Sequence, residues 1–180
     1  MLCGVFKECH RVMKDVAKLC FSFHHSRPDG WVAIGNALIK AGFFLEEAFP
    51  LHAELMASIP KTGAREPISL DIILICSKEK QTVGDTQAVA AKYVDTLSSA
   101  GKKLSSADVF VIYASQTLVK CINKRLSKIE MFSLLEVDLD YSLSYKQNIP
   151  ITKICTPQPY DSAKQIQFEL SFGNYESNIS

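Results

Sequence analysis

Nowhere in the 180 residues is there an uninterrupted apolar stretch of the about 18 that a membrane span requires, and Lys7, Glu8, Arg11, Lys14 and Asp15 break up the N-terminal segment. The expectation is a soluble, cytoplasmic chain with no membrane partner. There is no excess of one charge either. Twenty Lys+Arg against nineteen Asp+Glu leave a net +1, which excludes a uniformly basic nucleic-acid coat and an acidic tail protein. Contact with a polyanion must then come from a local patch. The six cysteines (Cys3, Cys9, Cys20, Cys76, Cys121, Cys155) form no C-x-x-C pair and no dense framework, so they read as reduced packing residues and no metal is expected. Also missing are G-x-G-x-x-G, a Walker loop, G-x-S-x-G, H-E-x-x-H, internal repeats and low-complexity blocks.

What is present is an ordinary globular composition, 47% apolar and 22% charged, enough for one core and a small second subdomain. Val5, Phe6, Cys9, Val12, Met13 and Val16 recur at helical spacing opposite a charged face and predict an amphipathic helix. Leu19 to Phe23 is a short apolar run suited to a covered strand. Ser26-Arg27-Pro28-Asp29 reads as a capping box with Pro in the first turn. Trp31, Ile34, Leu38 and Ala41 continue that helix, over about 27–41, to a stop at Gly42. Phe43 to His52 and Ile68 to Cys76 are further strands. The first two strands, joined through a helix, are expected to lie as parallel neighbours, with the third turning back antiparallel. After Lys80 the sequence reads as helical. Val89, Tyr93 and Leu97 form one stripe, and Ser105-Ser106-Ala107-Asp108 caps a helix to about Lys124, although Val109 to Tyr113 taken alone could be called a strand. A short helix around Ile129 to Leu135 follows, and from about Asp140 the chain reads as a polar, loosely packed tail.

In an open α/β sheet, ligands bind beyond the carboxyl ends of the parallel strands. That rule gathers His24, His25, His52 and Glu54 at one edge, with Lys61, Thr62 and Arg65 on the following loop. A fifteen-residue loop without secondary structure tilts toward function. A metal-dependent hydrolase using His24, His25 and Glu54 is one chemistry such a set permits. Pro157-Gln158-Pro159-Tyr160 lacks the leading acceptor and paired prolines of a base-holding tetrapeptide, and is set aside.

Several segments together resemble a known family: Phe6-Lys7-Glu8-Cys9-His10-Arg11-Val12-Met13-Lys14, Phe21-Ser22-Phe23-His24-His25, Trp31 with Ala37-Leu38 and Ala41-Gly42-Phe43, Pro50 with Glu54, and Ser69 to Cys76. They look like the C-terminal half of an amino-group DNA methyltransferase, above all the adenine-specific DNA methylases with a zinc-ribbon-type region. The likeness covers about residues 5–78 and, more loosely, 84–136. It implies a partial Rossmann-like methyltransferase sheet, ordered helix, strand, helix, strand, antiparallel strand, over residues 1–80. A helical extension over 81–138 and the tail over 139–180 complete the chain. The implied cofactor is S-adenosylmethionine, and the implied reaction is methyl transfer to the N6 amine of an extruded adenine in DNA. By analogy, His24 and His25 lie beside the target base, and Glu54, Lys61, Thr62 and Arg65 line the substrate-facing loop.

The family's glycine-rich cofactor loop and its Asp/Asn-Pro-Pro-Tyr/Phe tetrapeptide have no counterpart in these residues. The residues that would bind the cofactor are therefore unknown, and no intact catalytic residue is expected. The resemblance thus implies a truncated or split enzyme, inactive alone, that docks on an upstream polypeptide or self-associates. A non-catalytic interaction or DNA-binding module derived from the same fold is the alternative.

Overall fold

The computed structural model describes residues 2–52 and 68–146. Within them lie α1 (Leu2–Val12), β1 (Leu19–Phe23), α2 (Pro28–Ala41), β2 (Phe44–His52), β3 (Leu70–Ser77), α3 (Thr86–Ser99), α4 (Ser106–Asn123) and α5 (Lys128–Lys146). The order helix, strand, helix, strand, antiparallel strand, then helices, is the expected one.

The strands form one sheet in the order β1-β3-β2. β3 runs antiparallel to both neighbours, with Phe21 opposite Leu74, Phe23 opposite Ile72, and Pro50 also opposite Ile72. β1 and β2 therefore point the same way, as a crossover through α2 requires, but they are not neighbours. β3 lies between them. The reason is in the residues. Leu70, Ile72, Leu74 and Cys76 are buried on one face, while Ile73 and Ile75 keep the other face apolar, so β3 suits the middle of a sheet. β1 is only five residues long and exposes Cys20 and Ser22, as an edge strand does. The pairing of β2 shifts register between Leu45 and Glu47, a bulge that bends the strand.

α4 is the axis of the helical layer. It packs against α2, α3, α5, β2 and β3, which is why it is buried nearly all round rather than along one stripe. Val109 to Tyr113 are helical here because a complete Ser105–Asp108 capping box starts the helix just before them. Gln116 Nε2 donates to the Ala48 carbonyl at 2.6 Å and Asn123 Nδ2 to that of Leu45 at 2.7 Å, tying α4 to β2 on both sides of its bulge.

Three local expectations change. The Ser26 capping box does not form, because the N-cap of α2 is Arg27, without a side-chain hydrogen bond, and Pro28 opens the helix. The stop at Gly42 holds: its φ of 94° is a left-handed C-cap that glycine adopts without a Cβ penalty. In α1 only Phe6 of the predicted stripe is buried, against Phe21 with ring centroids 5.5 Å apart, while Val5 and Val12 are more than half exposed. α5 extends from Lys128 through Lys146, well beyond Leu135 and into the segment read as a loose tail, and it buries Asp138 and Ser142. None of the helices described is long and apolar enough to cross a membrane.

Candidate functional site

The carboxyl ends of β1 and β2 and the start of β3 meet at one edge of the sheet, because Phe23 and Pro50 both stand opposite Ile72. One step beyond that register, His24 faces Asp71 across the β1–β3 ladder, and its Nδ1 is hydrogen-bonded to the Asp71 carboxylate. Both side chains remain partly in solvent, 46% and 31% exposed, on the sheet face opposite the helices. Leu51, paired with Asp71 on its other side, is 53% exposed. The edge thus offers an oriented imidazole beside an accessible apolar surface.

His25, the next residue, has a different role. Its Nδ1 meets the Arg27 backbone, 3.1 Å from the amide N–H and 3.0 Å from the carbonyl, and its own carbonyl accepts the Trp31 indole N–H at 2.9 Å. The ring serves the first turn of α2 where the predicted Ser26 cap does not. It lies so close over Gly30 that a Cβ there would stand 2.3 Å from its Cγ, so only glycine leaves the ring its seat. Trp31 is fully buried and meets Phe23 edge-on, with centroids 5.0 Å apart, which locks the strand end to the helix start. Of the two adjacent histidines, His24 is presented outward and His25 is structural.

Glu54, Lys61, Thr62 and Arg65 lie outside the described residues, as does the side chain of His52. Cys155 and the Pro157–Tyr160 tetrapeptide do too. Among the described residues, no three His, Cys, Asp or Glu side chains are grouped to hold a metal ion. Cys76 and Cys121 are buried, and desolvation pushes each thiol up to about 12, so both stay protonated and inert.

S-adenosylmethionine does not fit the donors described. β1 passes into α2 through His24-His25-Ser26-Arg27 without a glycine that would let backbone approach a nucleoside, and Gly42 and Gly101 end helices.

Asp71 escaped the sequence reading. Its signal was a lone carboxylate inside the β-branched run Ile68 to Cys76, and only the register shows which histidine it meets. No protein-family model, curated protein or solved structure matches this chain.

Proposed function

We propose that these residues are the closing portion of a S-adenosylmethionine-dependent DNA adenine-N6 methyltransferase fold. They contribute its target-base side and are inactive alone. The carrying observation is the ladder in which β3 runs antiparallel between two co-directional strands joined through α2. That is the strand, helix, strand, antiparallel strand succession the resemblance implies, and His24 follows the carboxyl end of β1, where the proposed reading puts the base. Adenine must leave the stack to be read there, so the natural substrate is an extruded or single-stranded base. The cofactor loop and the amine-holding tetrapeptide, absent from these 180 residues, come from outside them. Without that positioning, several kcal/mol of barrier reduction are missing.

Isothermal titration tests the reading. The chain alone is expected to give no heat with S-adenosylmethionine. Mixed with the polypeptide encoded immediately upstream, it is expected to bind the cofactor and to methylate DNA. No binding in either case defeats the split-enzyme account.

A non-catalytic interaction module is the second reading. It is favoured by the exposed Leu2, Val5 and Val12 at 3–7 residue spacing on α1, and by the outer edge of β1, which no described strand pairs. A stable complex with the upstream polypeptide that neither binds cofactor nor methylates DNA would select it.

A further inference from the structure

We infer that Asp71 is a positioning residue that holds His24 in the Nδ1–H tautomer, so that Nε2 faces the substrate as a hydrogen-bond acceptor for the exocyclic amine of an unpaired adenine. The inference rests on the proposed function and specifies the contact at its site. A carboxylate beside Nδ1 takes the proton of that nitrogen in its hydrogen bond, and the partner of one ring nitrogen sets the role of the other. Nε2 has no hydrogen-bond partner among the described residues. A neutral imidazole fixed in this way is acceptor-only at Nε2, whereas adenine N6 offers two donors.

The setting agrees with this role. Asp71 is anchored mid-sheet on β3, between His24 on one side and Leu51 on the other, so the carboxylate cannot drift with a loop. Leu51, more than half exposed, supplies an apolar flank for a base face. His25 cannot substitute, because its Nδ1 is engaged by the Arg27 backbone and its ring is seated on Gly30. An acceptor beside an apolar flank selects amino-bearing bases and discriminates against a base that lacks the amine.

The test uses the full chain at pH 8, above the ordinary histidine range. Ring-nitrogen NMR shifts report the tautomer, and fluorescence anisotropy reports binding of a short single-stranded thymine tract with one central adenine or, in its place, unsubstituted purine. The wild type is expected to carry the ring proton on Nδ1 and to prefer adenine over purine by about three- to tenfold, the range of one net hydrogen bond. Asp71→Ala is expected to move the proton to Nε2 and abolish the preference, Asp71→Asn to restore both, and His24→Ala to lose the preference while affinity for the bare thymine tract is unchanged. A wild-type ring protonated on Nε2, or a preference that survives Asp71→Ala, overturns the inference while leaving the proposed function standing. Absence of DNA binding by every form, both alone and mixed with the polypeptide encoded immediately upstream, with the tautomer as expected, overturns the proposed function instead and removes the amine contact with it.

Discussion

Two junctions of the helical layer each bury an aspartate, and they treat it in opposite ways. Where β3 enters the sheet beside α4, the Asp108 carboxylate accepts from the Ser69 amide at 2.7 Å, the Ser69 hydroxyl at 3.0 Å, the Ser105 amide at 3.0 Å and the Ser105 hydroxyl at 2.9 Å. Where α3, α4 and α5 meet, Asp138 is as deeply buried, yet one oxygen accepts from Gln87 Nε2 at a long 3.3 Å, Thr117 adds a side-chain contact, and Oδ2 has no hydrogen-bond partner among the described residues. Burial without donors penalises the charged form. Desolvation therefore pushes the Asp138 carboxyl up to about 6, a rise that nearby Thr117, Gln87 and Lys120 only partly oppose. What separates the two sites is the supply of donors, not the depth. The first carboxylate fastens strand to helix, and the second is a titrating weak point among helices.

The largest effect is expected from Asp108→Ala. It strands the donors of Ser69 and Ser105 and breaks the α4 capping box, costing about 3 kcal/mol in urea unfolding at pH 7. A loss below about 1 kcal/mol would erase the contrast between the junctions.

Asp138→Asn should act in the opposite direction. With a folded value of about 6 against an ordinary 3.8, the native state holds the proton more tightly than the unfolded chain, so the contribution of Asp138 to stability is fully present below about pH 4 and is lost as pH rises through 6. The difference corresponds to at most about 3 kcal/mol. The variant, which cannot ionise, is expected to gain about 1–2 kcal/mol over wild type at pH 8 and none at pH 4, as read by thermal unfolding across that range.

Smaller tests refine the comparison. Ser69→Ala removes one hydroxyl from the crowded Asp108 carboxylate and should cost about 1 kcal/mol in urea unfolding at pH 7. Gln87→Ala removes the one hydrogen-bonding amide of Asp138 and should cost about 0.5 kcal/mol, more at pH 8 than at pH 5, because the donor favours the ionised form.

Much of the architecture was legible beforehand. β1 begins and ends where the apolar run Leu19 to Phe23 does, and β3 lies within a residue or two of its expected span. α2 stops at Gly42, and α4 starts at the Ser105 box. These are local effects: side-chain shape on a pleated surface, a left-handed cap, a hydroxyl meeting orphan amides. The neighbour order of the strands was not legible, because a crossover fixes direction and leaves open which strand fills the gap. Nor was the difference between His24 and His25. Alternation puts consecutive strand residues on opposite sides, but only the finished contacts give one an aspartate and the other a glycine seat.

The residues by themselves determined most of the elements and their directions, the length of α5 excepted, because period, caps and β-branching act within a few positions of the chain. Tertiary structure alone decided that β3 would stand at the centre. It also set Asp71 beside His24, joined Ser69 to Asp108 across thirty-nine positions, and left Asp138 short of donors. Each of these is a meeting of groups far apart in sequence, and their number and geometry exist only once the sheet and the helices have packed.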